Sequence, residues 1–559
     1  MSLAEWAVAS KYYGNVHVLA AWLPGHHRRY PGHRVGTPGT ANVWAVPTQK
    51  TEANWRCRHR GATEESSLMR MTWTATAVAA LLAGCASSLP APEPLATAAP
   101  PKWHAPLPEQ ARAGATHLPH HGQQADLTRW WQQFDDPLVA ELVAAVQTAS
   151  PTLAAAQSRL AQARASRTAA GATLWPAVDA SASLARGRTE LGVPIANTAV
   201  AGLQAAWEID VFGAGRAARG AADARLAGAQ ADWHDARVLV AAEAAGAYLA
   251  LRACEAQREQ TETDAASRIE TARLTELSAK AGFQPPASGA LARASAAQAR
   301  AQLVAQAAQC DLELKGLVAL TGLDEAALRS RLAPAQARLP QPAQLAVAEV
   351  PAQVLAQRPD LAAAARAVEA ASADAAAAQA QRLPRVGLSG SVSRARVDFG
   401  GSSVEGNLWS IGPLTVSLPI FDAGLRAANV DAARARHDEA VANYRARLRT
   451  AVREVESALV QLDSSAARTE DARIAVEGYE ASFRAAEARY RGGLASLFEL
   501  EDARRTAALA RSQWVDLQRE RVAAWITLYR ALGGGWQADA DGASAGGWQA
   551  DATDMAAAR

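Results

Sequence analysis

Two periods take turns along this chain. From Pro151 an alanine-rich run carries helical spacing and stops before Trp175-Pro176, because proline pushes the residue ahead of it out of the α region. Alternation then takes over: Val178, Ala180, Ala182 and Leu184 share one face and Asp179, Ser181 and Ser183 the other, the pattern of a strand. After a loop with Gly192 and Pro194, the stretch from Leu203 to Val211 alternates again and puts Gln204, Glu208 and Asp210 on one face. No proline occurs from Ala214 to Ala281, nor anywhere after Pro419. A helix of about 65 residues at ~1.5 Å rise spans roughly 100 Å. Within the later proline-free stretch, Leu448, Val452, Val455, Leu459 and Leu462 step by four, three, four and three, a coiled-coil seam.

The pattern occurs twice. Pro151-Thr152-Leu153 corresponds to Pro359-Asp360-Leu361, and Trp175-Pro176 to Leu383-Pro384. Val211-Phe212-Gly213 parallels Ile420-Phe421-Asp422, and Ala319-Leu320-Thr321-Gly322 parallels Ala531-Leu532-Gly533-Gly534, all at a shift between 208 and 212. Each half reads helix, strand, strand, long helix, turn, helix, with the second pair of strands at Val386 to Val397 and Trp409 to Phe421. Gly412-Pro413 breaks the alternation in the last strand and predicts a bulge or kink.

Four strands cannot close a barrel, and an open edge in lipid leaves backbone groups unsatisfied. A membrane barrel therefore needs several copies, and three would supply twelve strands. The apolar and polar strand faces then become lipid-facing and lumen-facing sides. A lipid-anchored periplasmic coiled-coil scaffold, decorated by water-soluble hairpins and lacking a pore, fits the same periodicity.

The chain has 559 residues, and its 57 Lys+Arg nearly balance 55 Asp+Glu, leaving no field for nucleic acid. A short apolar run from Met71 to Ala83 follows Arg70 and ends in Leu82-Ala83-Gly84-Cys85, which looks like a lipoprotein signal with lipidation at Cys85. The expected division is an upstream extension over 1–68 from a misplaced start, with translation beginning at Met69 or Met71, then the signal over 69–84 and a lipid-anchored, Pro-rich linker over 85–126. Repeat 1 then covers 127–345, repeat 2 covers 346–536, and 537–559 forms a tail. A small N-terminal domain is the alternative for 1–68. The first 84 residues hold nine Lys+Arg and four Asp+Glu, so the remainder carries a formal −3. Cys57, Cys85, Cys254 and Cys310 lie scattered, which argues against a disulfide framework and makes Cys254 and Cys310 buried helix thiols. No metal site or catalytic constellation stands out, so no enzyme is expected, and the sole prosthetic group expected is the diacylglycerol and N-acyl lipid at Cys85.

Several motifs resemble a known family. Trp130-Trp131-Gln132-Gln133-Phe134-Asp135-Asp136-Pro137, Trp207-Glu208-Ile209-Asp210-Val211-Phe212-Gly213, Gln357-Arg358-Pro359-Asp360, Pro419-Ile420-Phe421-Asp422 and Leu528-Tyr529-Arg530-Ala531-Leu532-Gly533-Gly534-Gly535-Trp536 are similar to the lipoprotein (NodT-type) branch of the TolC-like outer-membrane efflux factors. The resemblance implies an α+β membrane protein. Its long α-helical coiled-coil barrel would carry four transmembrane strands per chain, completing a twelve-stranded barrel in a homotrimer. It also implies a lipid-anchored outer-membrane channel that extends into the periplasm and passes substrates from a periplasmic adaptor and an inner-membrane RND-type transporter to the exterior. A type I secretion duct is the family-level alternative.

In that family the helix tips close the periplasmic entrance and meet the adaptor. Here the tips fall at Gly282-Phe283-Gln284 and at Gly492-Gly493-Leu494, where glycine tolerates positive φ. Tyr490, Glu499 and Asp502 match positions that form the constriction. The i, i+3 spacing puts both carboxylates on one helix face, and a trimer would gather six of them and favour cations. Glu501 lies beside them, so an ordinary solvated acidic face gives the same pattern. Two departures stand out: Leu494-Ala495 replaces the polar residue often found after the second tip, and Ser288-Gly289 replaces an acidic partner at the first.

Overall fold

The computed structural model describes residues 130–188, 194–342 and 357–536, together with Trp103, Ala105 and Leu355. The expected extension, signal, Cys85, tail and nearly all of the linker lie outside these residues. A 3₁₀ turn at Trp130–Gln133 leads into α1 (Leu138–Ala149) and α2 (Pro151–Ala172). Strands β1 (Ala177–Gly187) and β2 (Ala196–Ile209) follow, then α3 (Ala214–Lys280), α4 (Pro286–Thr321) and the short α5 (Glu325–Leu332). The second half repeats the order with α6 (Pro359–Ala380), β3 (Arg385–Phe399), β4 (Ser402–Ser417), α7 (Leu425–Arg491) and α8 (Leu497–Ala531).

The repeat is near-perfect in length. α2 and α6 have 22 residues each, and α3 and α7 have 67 each. Local chemistry sets these ends. Ser150 caps α2 by accepting from the Leu153 amide (3.3 Å), with Pro151 in the first turn, where its missing N–H costs nothing. Both 67-residue helices start after a left-handed glycine, Gly213 (φ 81°) and Gly424 (φ 89°).

The strands form one antiparallel sheet in the order β1-β2-β3-β4, so β1 and β4 are its outer strands. β4 begins at Ser402, seven residues before the predicted start at Trp409, because Gly400-Gly401 (φ 54° and 88°) makes a two-residue hairpin that lets pairing run to Phe399↔Ser402. β2 likewise starts at Ala196, ahead of Leu203. The expected irregularity near Gly412-Pro413 is a register shift: Leu388 pairs with Leu414 but Gly390 with Ile411, so β4 has one extra residue there. The shift keeps Trp409, Ile411, Leu414 and Val416 on one face.

One large core lies midway along the helices. Trp130 stacks on Trp525 at 4.6 Å, and Val455, Leu459 and Leu462 of the predicted seam pack into the same cluster. Arg252 is fully buried there and donates to Tyr248 Oη (2.8 Å), Glu255 (2.8 Å) and the Leu332 carbonyl (2.9 Å), while Tyr248 bonds Asp136. The segment ahead of repeat 1 touches this core as well, the Ala105 amide donating to Glu456 at 2.6 Å.

One expectation fails outright. Cys254 and Cys310 are not free thiols but a disulfide between α3 and α4, with Cα atoms 5.5 Å apart. They stand 56 positions apart in sequence, on helices that run antiparallel, so only the pairing of the helices brings them together. The positions of repeat 2 that correspond at the helix-to-helix shift of 211 are Ser465 and Arg521, so the second hairpin has no such link.

Candidate functional site

Both tips are built by the same backbone device. The Phe283 amide reaches back to the Ser278 carbonyl (2.9 Å) and Gly282 to Ala279 (3.1 Å); Leu494 reaches Arg489 (2.8 Å) and Gly493 reaches Tyr490 (3.0 Å). These paired bonds close a helix only when the intervening residue is left-handed, and Gly282 (φ 79°) and Gly493 (φ 75°) supply it. Gly492 has ordinary negative φ and is the C-terminal cap of α7, just after Arg491. Gln284 follows in the first turn, and Ser496 then caps α8 through the Glu499 amide (3.1 Å). Phe283, Leu494 and Phe498 are exposed at the tips, three-quarters or more of each ring or side chain open.

Just above the tips the two hairpins are joined by polar contacts. Tyr490 on α7 meets Thr275 on α3, hydroxyl to hydroxyl, at 2.5 Å. Arg268 on α3 donates to Glu501 on α8 (2.9 Å) and to Ser295 on α4 (2.8 Å), and Ser295 donates to the same Glu501 oxygen (3.0 Å). Arg504, almost fully buried, pairs with Glu501, donates to Ser267 (3.1 Å) and Thr271 (2.8 Å) and lies over the Phe483 ring. Burial pulls its pKa below the ordinary guanidinium value, opposed by Glu501 and Asp264. A small apolar cluster of Ala272, Ala292, Ala296, Leu497 and Leu500 sits behind these groups.

The predicted gate residues take different places. Tyr490 is half-buried in this joint, and Glu501, read from sequence as part of a solvated face, is its central carboxylate. Glu499 pairs with Arg489 at 2.6 Å and Asp502 with Arg505 at 2.7 Å, so each exposed carboxylate already has a guanidinium partner. Arg268, Thr271, Thr275 and Arg504 went unnoticed in the sequence. Polar residues at helical spacing look alike whether they face solvent or a second hairpin.

On the sheet, register resolves the faces. Ala180, Leu203, Val392 and Trp409 form one cross-strand row, and below it Trp207, Leu388 and Leu414 form another, on one apolar and largely exposed face. Gln204 and Glu208 lie on the opposite face with Asp179, Ser181, Ser391 and Ser410, small and polar in these rows, while Leu408, Val404 and Phe399 lie on the same face nearer the β3–β4 hairpin. Asp210 does not belong to that lumen set. It lies past the end of β2, and its carboxylate accepts from the amides of Gly215 (3.1 Å) and Arg216 (2.9 Å), closing the first turn of α3. Asp422 does the same for α7 through Gly424 (3.1 Å) and Arg426 (3.2 Å).

The remaining motifs are structural. Arg358 is buried and bridges Asp360 (2.9 Å), Glu454 on α7 (2.8 Å) and the Ala531 carbonyl at the end of α8 (2.9 Å). Gly533 packs so tightly that a Cβ there would lie 2.7 Å from the Gln357 carbonyl oxygen. The Gln357-Arg358-Pro359-Asp360 and Gly533-Gly534-Gly535 motifs therefore meet in space. Cys85 lies outside the described residues.

A sheet with one apolar and one polar face, rooted on paired helices of 67 residues, defines a class: proteins that line a duct across and beyond a membrane. Comparison with known proteins agrees. Residues 142–323 and 350–534 match the family described as outer membrane efflux protein. The pyoverdine export outer membrane protein OpmQ of Pseudomonas aeruginosa is 29% identical over 83% of this chain and 97% of its own. The solvent efflux pump outer membrane protein SrpC of Pseudomonas putida is 29% identical over 72% of this chain and 86% of its own. Among solved structures, the outer-membrane channel OprN superposes with a TM-score of 0.68 at 28% identity, covering 77% of this chain and 97% of that one. The chain belongs to the outer membrane efflux protein family, and it is a non-enzymatic outer-membrane channel of the efflux-pump type, built from two repeats of that fold.

Proposed function

We propose that three copies of this chain close a twelve-stranded barrel and continue it as a helical tunnel whose periplasmic end is gated at the hairpin tips. The observation that carries this is the four-stranded sheet, open at β1 and β4, with both of its faces largely exposed in the single chain. Pairing β4 of one copy with β1 of the next satisfies the remaining backbone groups and removes every edge. The apolar face then meets lipid and the face with Gln204 and Glu208 lines the lumen.

At the other end, Phe283, Leu494 and Phe498 form the surface for a periplasmic adaptor, and an inner-membrane RND-type transporter supplies the energy. Lipidation at Cys85 anchors the linker in the same membrane. The relatives' roles in pyoverdine export and solvent efflux support small organic molecules as the cargo. The Tyr490–Thr275 contact and the Arg268–Glu501–Arg504 network hold the second hairpin against the first and so keep the tips closed.

Recording from the purified full chain in a planar bilayer tests the reading. Wild-type protein should insert with small conductance, and Glu501→Ala combined with Tyr490→Phe should raise it several-fold. Persistent absence of conductance in both would sink the channel assignment in favour of a scaffold without a pore. Neutralising Glu499 and Asp502 should shift reversal potential away from cation preference. An unchanged potential would remove them from the permeation path.

A further inference from the structure

The apolar face of the sheet is not apolar to its end. Arg394 lies in the row directly above Trp409 and Val392, Arg396 in the row above that, and Arg186 in the next. All three share the face of Leu203 and Trp409, since pairing partners on neighbouring strands point to the same side. Counting from the lowest apolar row at Ile209, Ala199 beside Arg396 is ten residues up, about 33 Å along a strand and about 25 Å along the membrane normal at a tilt of ~40°. That is the height of the apolar band of an outer-membrane barrel. The hairpin turn at Gly400-Gly401 lies beyond it, on the side away from the helices, so Arg396 and Arg186 stand at the outer leaflet's headgroup level and Arg394 about 5 Å below, within reach of it.

Between them the surface is hollow. A cavity of about 630 Å³ is floored by Ala182, Ala199 and Ala201 and flanked by Leu184, Arg394 and Arg396. Glu405 engages Arg394 (2.7 Å from Nε), and Asp398 accepts from Arg396 Nε (3.2 Å). Each guanidinium carries five N–H donors, so these carboxylates occupy only part of its capacity. The lining itself holds two guanidiniums, Arg394 and Arg396, against the one carboxylate of Glu405, and Arg186 and Asp398 stand in the next row up, an arrangement with donors to spare for an anion. Planar guanidinium donors match phosphate oxygens in pairs. The apolar rows below suit acyl chains.

We propose that Arg394 and Arg396, above this alanine-floored hollow, seat the phosphate of a phosphorylated glycolipid in the outer leaflet, its acyl chains lying over Val392 and Trp409. The proposal rests on the outward orientation of this face in the trimer proposed above.

Native mass spectrometry of the purified full chain, titrated with bisphosphorylated lipid A, tests it. Wild-type protein should keep bound lipid A, and Arg394→Gln combined with Arg396→Gln should weaken retention at least tenfold. The single Arg396→Gln, which leaves the Arg394–Glu405 pair in place, should give an intermediate loss, and Arg468→Gln on the exposed side of α7 should give none. Lipid A stripped of phosphate should bind wild type no better than the double variant, and millimolar inorganic phosphate should not displace the lipid. Equal retention by wild type and double variant overturns the proposal, as does full displacement by inorganic phosphate, which would mark a site for free anion. Heat-modifiable trimer bands, read for every variant, separate the two readings. Equal lipid retention by wild type and double variant with the trimer intact rejects the lipid seat alone, whereas no trimer in the wild type rejects the assembly beneath it.

Discussion

Individual buried charges in this chain act as fasteners between distant segments. Arg358 holds the start of α6, the middle of α7 and the end of α8 together, and removing it leaves Asp360 and Glu454 without their common partner. Arg358→Ala should cost about 3–5 kcal/mol, as for other broken buried pairs, read as a lower denaturation midpoint. Nearby, Asp235 is pushed up to about 6, mainly by burial and then by the Asp360 carboxylate, against the pull of Arg358 and Arg530. Its folded form holds a proton more tightly than its unfolded form, whose pKa is near the ordinary 3.8. Stability should therefore fall as pH rises from about 4 to about 6 and stay lower above, by on the order of 2 to 3 kcal/mol. Asp235→Asn should flatten that slope and raise the melting temperature at pH 7.5, and an unchanged melting profile would show that the carboxylate is not desolvated. The sequence disclosed these residues only as parts of motifs. Whether an aspartate is solvated or buried depends on which helix returns to cover it, and no local period records that.

Helices and strands were more legible, because their periods are local. The switch from a 3.6 to a 2 period, the prolines at 151 and 359 and the seam from Leu448 to Leu462 all correspond to observed elements. Strand lengths were underestimated where small residues such as Ala199, Ala201 and Gly406 blur the alternation. What no element period could reveal is pairing between elements: the Cys254–Cys310 link, and the Thr275–Tyr490 and Arg268–Glu501 contacts between hairpins. The link closes a loop of 56 positions, for which the chain-entropy estimate is about 4 kcal/mol. Cys254→Ser with Cys310→Ser should lower the denaturation midpoint accordingly, and reductant should lower the wild type but not the variant. The two hairpins should also differ in motion. Hydrogen exchange in the lower part of α7 and α8 should exceed that of α3 and α4, and reduction should narrow the gap.

As a whole, the molecule is incomplete by design of its sheet: most exposed large side chains of β1 to β4 lie on the face assigned to lipid. A charge placed there has no water to reach. Leu203→Arg, near the middle of the band, should cost about 2–4 kcal/mol of membrane insertion and deplete the heat-modifiable trimer. Gln204→Arg, one residue along and on the polar face, should leave the trimer intact. Equal depletion by both would mean that the faces have been assigned the wrong way round. The barrel followed from sequence only with the strands placed in lipid, where backbone hydrogen bonding demands closure; the alternation alone fits water-soluble hairpins as well.

The covalent link between α3 and α4 also bears on how the protein is made. Four cysteines permit three ways of forming two bridges. Processing at Cys85 as proposed would remove Cys57 with the leading segment and convert the Cys85 thiol to a thioether. Only Cys254 and Cys310 would then remain able to oxidise, and one bridge with one connectivity is the sole product. Biogenesis in that order needs an oxidant in the periplasm but no isomerase to correct mispaired chains, and a copy retained in the reducing cytosol would lack the bridge altogether.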